Sequence, residues 1–104
     1  PLASVIAVEA LKIIIEENLI DNSYQMGKYF RYEMKRMNKK NIKIRGKGLM
    51  NAIEFECLRD EHMNLLRNGL LTNVTHGNIL RLTPPLTINK VQMDYALDII
   101  NKSL

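Results

Sequence analysis

The stretch "ILRLTPPL", residues 79 to 86, holds the side chain best suited to chemistry. It sets Arg81 in an otherwise apolar strand and then stops the strand with two prolines, which cannot donate to a sheet ladder. With strand alternation, Arg81 shares a face with Ile79 and Thr83, while Leu80 and Leu82 point the other way. A guanidinium offers two parallel donors to a carboxylate and keeps its charge at any biological pH, so it gives direction as well as attraction. Burying it without a partner would cost several kcal/mol. From the residues alone two readings stand side by side: an edge strand whose outer face carries a charge, or a fork that waits for a carboxylate.

No other group of residues makes a comparable site. His62 and His76 are too far apart for a local metal motif and Cys57 has no partner at ligand spacing, so no metal ligands are assigned. Cys57 reads as a buried, inert thiol rather than a nucleophile. The carboxylates fall mostly on helix surfaces and form no pair for general acid and base work. Gly46 and Gly48 make a poor nucleotide signature, because no third glycine and no capped helix follow at the required spacing. The chain does not read as a complete enzyme, and no catalytic residue is assigned in it.

Composition narrows the class. The chain of 104 residues allows one domain at most, and a hydrophobic content of 46% allows a modest core. The net charge of +4 is mildly basic, but the basic stretch "KRMNKKNIKIRGKG" has no interleaved aromatic residues for stacking on bases, so no nucleic-acid partner is expected. One cysteine excludes an internal disulfide and suits a reducing compartment. The chain starts at Pro1 with no basic leader and no run of about 18 apolar residues, so neither a signal peptide nor a membrane span is expected. We read it as a piece of a longer protein.

The elements that must hold Arg81 follow from periodicity. Residues 2–19 are apolar nearly all round, with charge only at Glu9, Lys12 and Glu16 before Glu17, so this helix expects cover from outside the chain. Asp21, Asn22 or Ser23 can cap a second helix through about Asn38, with Met26, Tyr29, Phe30, Met34 and Met37 inward. "IKIRGKGLMNAIEFE" is a strand pair or one bent strand, with Gly46 and Gly48 at the bend. A helix from about Arg59 to Asn68 ends at Gly69. "LLTNV" and "ILRLT" are short strands joined by "THGN", in which Gly77 and Asn78 take the turn. Thr87 or Asn89 caps a last helix whose inner stripe is Met93, Ala96, Leu97, Ile100 and Leu104, with Val91, Tyr95 and Ile99 as a second apolar row. The fold class is α+β, an antiparallel sheet of three or four strands with helices on one face.

The stretches "RGKGLMNAIEF" at 45–55 and "THGNILRLTPPL" at 75–86 closely resemble the C-terminal small domain of the class III pyridoxal-phosphate aminotransferases. "PLASVIAVEAL", "NGLL" and "IINKSL" match as well, so the similarity covers nearly the whole chain in order. Asn51 and the Pro84-Pro85 pair favour the ornithine aminotransferase branch over the acetylornithine enzymes. The resemblance implies that residues 1–104 are one small domain, with residues 1–20 a helix linking to a large domain. It implies a homodimer or higher homo-oligomer that uses pyridoxal 5'-phosphate, held by the large domain. The implied reaction moves the δ-amino group of ornithine to 2-oxoglutarate, giving glutamate semialdehyde and glutamate.

Arg81 matches the family's arginine for the α-carboxylate of glutamate or 2-oxoglutarate, a charge that the resemblance implies is masked by a large-domain glutamate in the ornithine half-reaction, and no cofactor-binding residue is assigned here. The family's cofactor lysine and phosphate-binding threonine are expected before Pro1. The passage from "AIEFE" to "CLRDEH" is shorter than in relatives, which predicts a break between Glu56 and Cys57. Rival readings are a related class III enzyme such as acetylornithine aminotransferase, a basic RNA-binding sheet, and a structural oligomerisation domain. The resemblance leaves two compartments, the cytoplasm of several unicellular members and the mitochondrial matrix of animal members, and richness in Asn, Lys and Ile, which points to an AT-rich genome, goes with the expectation of the cytoplasm.

Overall fold

The computed structural model describes all residues, 1–104. Its elements run α1 (Leu2–Glu16), α2 (Leu19–Arg36), β1 (Ile42–Lys47), β2 (Met50–Phe55), α3 (Glu61–Arg67), β3 (Asn73–Thr75), β4 (Ile79–Leu82) and α4 (Lys90–Ser103). The strands form one antiparallel sheet in the order β1-β2-β4-β3. The expected α+β class holds, with four strands.

Alternation decides which face is covered. Asn51, Ile53 and Phe55 of β2 and Leu80 of β4 are buried, and they pack with Phe30 and Met34 of α2 and with Met93, Leu97 and Ile100 of α4. The inner stripe expected of α4 is therefore the observed one, and so is the apolar side expected of α2, where Met26, Tyr29 and Met37 pack at the margin of the core. The second row expected on α4 splits: Ile99 is buried, whereas Val91 and Tyr95 lie out in solvent because no element covers that flank.

Asn89, not Thr87, caps α4. Its side chain accepts from the Gln92 N–H at 2.9 Å while the Gln92 side chain accepts from the Asn89 N–H at 3.1 Å, a reciprocal capping box. Replacing Asn89 with Ala leaves the Gln92 N–H without its side-chain acceptor, and we expect a loss of about 1 kcal/mol in helix stability, read as faster amide exchange at Gln92.

The helix α2 starts earlier than its polar residues suggest. Asn18, in the left-handed region at φ 53°, turns the chain directly from α1 into α2, so Asp21, Asn22 and Ser23 lie inside the helix and not at its cap. Their side chains are then free for other contacts. Asn22 donates to the carbonyls of Leu86 and Ile88 at 2.6 and 3.0 Å, tying α2 to the approach to α4. Tyr29 donates to Asp94 at 2.5 Å and Lys90 donates to the same carboxylate at 2.7 Å. The Lys90 hydrogen bond first, and the Tyr29 bond second, hold the Asp94 carboxyl below the usual carboxylate range.

Ser23, Gly27 and Arg31 recur every four residues and line one stripe of α2 against the β1–β2 turn. The Leu49 N–H donates to Ser23 Oγ at 3.1 Å, and Arg31 donates to the Gly48 carbonyl at 3.0 Å and to Asn51 Oδ1 at 2.7 Å. Between them, a Cβ on Gly27 would stand 1.9 Å from the Gly48 oxygen, so only glycine admits this approach. Asn51 is 4% exposed, and its amide donates to the Gly48 carbonyl at 3.1 Å.

Two expectations need correction. Cys57 is exposed, not buried, because β2 ends at Phe55 and the chain leaves the sheet through a surface bend. Glu56 and Cys57 make that bend without a break, and the Glu56 N–H donates to the Asn41 carbonyl at 3.2 Å, so the connection to α3 is short. Gly77 and Asn78 lie in the β3–β4 turn as expected, together with His76, and the positive φ angles there fall on His76 and Gly77. Asn78 instead donates its side-chain amide to the Phe55 carbonyl at 2.9 Å.

Candidate functional site: the open face of the sheet

The sheet face turned away from the helices is where Arg81 stands. Pairing places Arg45, Ala52, Arg81 and Asn73 in one row across β1, β2, β4 and β3, with Lys43, Glu54, Ile79 and Thr75 in the next. Arg81 is exposed at this face, and none of the ion pairs includes it. Its neighbour Ala52 is the smallest side chain in the row, which leaves room for the guanidinium to move. The residues Arg45, Lys47, Ala52, His76, Ile79 and Arg81 border an open groove of about 690 Å³. Three of these are permanently cationic at neutral pH and none is acidic, so the groove favours an anionic ligand.

Of the two readings of Arg81, its setting contains elements of both. It is exposed, as an outer-face charge would be, yet β4 is an interior strand of the sheet with β2 and β3 on either side. The fork therefore rises from the middle of a ribbon and faces a concave surface.

Sequence reasoning missed Arg45 and Glu54. Their side chains meet across the diagonal at 3.7 Å, with Arg45 63% and Glu54 35% exposed. The alternation of β1 and β2 could have put both on one face, but only the register shows that Glu54 is diagonal to Arg45 on one side and to Arg81 on the other.

The remaining candidates stay apart. His62 Nδ1 lies 3.0 Å from Thr72 Oγ1, on the connection between α3 and β3, while His76 sits in the β3–β4 turn. No three His, Cys, Asp or Glu side chains come together. Cys57 neighbours Arg59, whose guanidinium holds its proton more firmly than usual, chiefly through a hydrogen bond with that thiol.

The pyridoxal phosphate implied by the resemblance needs an amine that can lose its proton and a cradle for its phosphate. Every lysine here except Lys39 is exposed, and Lys39 donates to the carbonyls of Asn101 and Leu104. Lys90 and Lys102 are hydrogen-bonded to Asp94 and Asp98, which raises their pKa, the wrong direction for an amine that must be neutral to react. The residues of this chain do not by themselves fit that group.

Comparison with known proteins adds the family. The class III aminotransferase model matches residues 1–104. A mitochondrial ornithine aminotransferase from Drosophila melanogaster is 42% identical over 113 aligned positions, covering 100% of this chain and 25% of that protein. The alignment is longer than the chain, so that relative carries additional residues. The crystal structure of an acetylornithine aminotransferase from Elizabethkingia anophelis superposes with a TM-score of 0.93 at 38% identity, over 99% of this chain and 29% of that one. An ornithine aminotransferase structure from Toxoplasma gondii, described as having partial occupancy of PLP at its active site, gives 0.93 at 37% identity over 99% and 26%. The chain thus spans about a quarter of the length of such relatives. No helix is long and apolar enough to cross a membrane. Matched from its first residue to its last by a single family model, and superposing closely on solved members, the chain belongs to the class III aminotransferases.

Proposed function

We propose that residues 1–104 are the C-terminal small domain of an ornithine aminotransferase that passes the δ-amino group of ornithine to 2-oxoglutarate. The products are glutamate semialdehyde and glutamate. The observation that carries this reading is Arg81, paired with no carboxylate of this chain, on the open cationic groove of an interior strand. A guanidinium so placed grips a carboxylate through two parallel hydrogen bonds and so fixes the direction in which a small dicarboxylate lies. Pyridoxal phosphate, when bound by the rest of the enzyme, supplies the electron sink for amino transfer.

The helix α1 supports the division into domains. None of its residues is buried, and Leu2, Val5, Ile6, Val8 and Leu11 are all exposed, so we assign α1, which ends at Glu16 and not at the expected residue 20, to the join with a large domain within a homodimer. Against an RNA-binding sheet stands Phe55, the only aromatic residue on a strand, which is 6% exposed beneath the helices and cannot stack on a base. The compartment we propose is the cytoplasm, on the compositional argument, with the mitochondrial matrix as the alternative because the Drosophila relative is named mitochondrial.

The second reading, acetylornithine aminotransferase, is favoured by the superposition on the Elizabethkingia enzyme. Turnover of the complete enzyme with ornithine and with N-acetylornithine, each against 2-oxoglutarate, separates the two. We expect ornithine to be preferred by about tenfold or more in kcat/KM. A preference for the acetylated substrate would transfer the assignment to the second reading.

A further inference from the structure

Glu54 is the one acidic residue of β1, β2, β3 and β4. It stands diagonal to Arg45 on β1 and diagonal to Arg81 on β4, since Arg45 and Arg81 are the partners of Ala52 on its two sides. Diagonal neighbours lie within reach of long side chains. Two guanidinium groups can therefore compete for one carboxylate, and the competition is resolved: Glu54 lies 3.7 Å from Arg45, and Arg81 has no carboxylate within ion-pair distance.

We propose that Arg45 is a positioning residue that holds Glu54 away from Arg81, so that this carboxylate of the same sheet does not compete with a dicarboxylate ligand for the guanidinium. This rests on the reading of Arg81 as the carboxylate-binding fork, and deepens it by naming the carboxylate of this sheet that can compete for that fork. An Arg81 closed on Glu54 would have to break that pair before binding, which weakens the ligand by the population in the closed state. The pair is half in solvent, so its effect is that of an exposed ion pair and not of a buried one.

The test uses the complete enzyme and glutarate, an unreactive dicarboxylate, as a competitive inhibitor against 2-oxoglutarate, with KM for ornithine measured alongside. Arg45→Ala frees Glu54, and the inhibition constant of glutarate should rise about fivefold while KM for ornithine moves much less. Glu54→Gln removes the competitor, so Arg45→Ala with Glu54→Gln should return to within about twofold of the parent. Lys47→Ala removes one positive charge from the same groove without freeing Glu54, and controls for the general field.

Arg45→Ala that binds glutarate as the parent does, a double variant as weak as Arg45→Ala alone, or Lys47→Ala as weak as Arg45→Ala would each overturn the proposal. Arg81→Ala separates this from the underlying reading. It should raise the inhibition constant roughly 100-fold, and if it leaves that constant unchanged then the carboxylate assignment itself fails.

Discussion

Arg81→Ala in the complete enzyme should raise KM for 2-oxoglutarate by roughly 100-fold, with a much smaller change for ornithine. The size follows from truncating one partner of a hydrogen-bonded charge pair that the rest of the proposed enzyme closes over and desolvates, which costs about 2–5 kcal/mol. The asymmetry follows from the substrates. 2-Oxoglutarate has two carboxylates and needs a cation for each, whereas ornithine has one carboxylate and a cationic amine at its far end, which gains nothing from a guanidinium. Arg81→Lys tests the geometry: an ammonium keeps the charge but loses the two parallel donors, so it should recover only a small part of the affinity. Steady-state kinetics of the two half-reactions, measured separately, read the split. Equal small losses for both substrates would make Arg81 an ordinary surface charge.

The second large effect lies away from the groove. Gly27→Ala places a methyl where the Gly48 carbonyl oxygen now sits, 1.9 Å from its ideal position, and neither helix nor turn can yield without moving backbone. We expect a loss of about 3 kcal/mol, at the upper end of overpacking costs, because the displaced turn also loses its hydrogen bonds to Ser23 and Arg31. Amide exchange at Leu49 is the local readout, since its N–H donates to Ser23 Oγ and is released when the turn lifts away. The melting temperature of the complete enzyme should fall with it. Unchanged protection at Leu49 would show that α2 and the turn separate at little cost.

The parts of the fold that were legible in the sequence are those where one local rule governs. The inner stripe of α4, the glycine after α3 and the apolar side of α2 each follow from periodicity or turn chemistry within a few residues. The boundary between α1 and α2 was not legible, because Asn18 takes a left-handed conformation that links two helices without a gap, while the polar residues after it look like caps. Arg81 stood out because a charge in an apolar strand is conspicuous. Arg45 and Glu54 did not, since each sits in a strand that alternates with charged residues, and their meeting depends on the β1-β2-β4-β3 order. The four-residue spacing of Ser23, Gly27 and Arg31 was visible in the sequence, but nothing local says that a turn some twenty residues later would dock there. Cys57 was misread because the apolar run of β2 ends at Phe55, one bend before it.

The helix α1 has a practical meaning for anyone handling this polypeptide. It lends no side chain to the interior, so the sheet and its three covering helices do not depend on it. It also presents bare hydrocarbon around most of its circumference, which in water seeks copies of itself. Separated from its other partners, the chain is poised to clump through its first sixteen residues, and a version trimmed at the Asn18 hinge offers the better-behaved material for solution work on the groove.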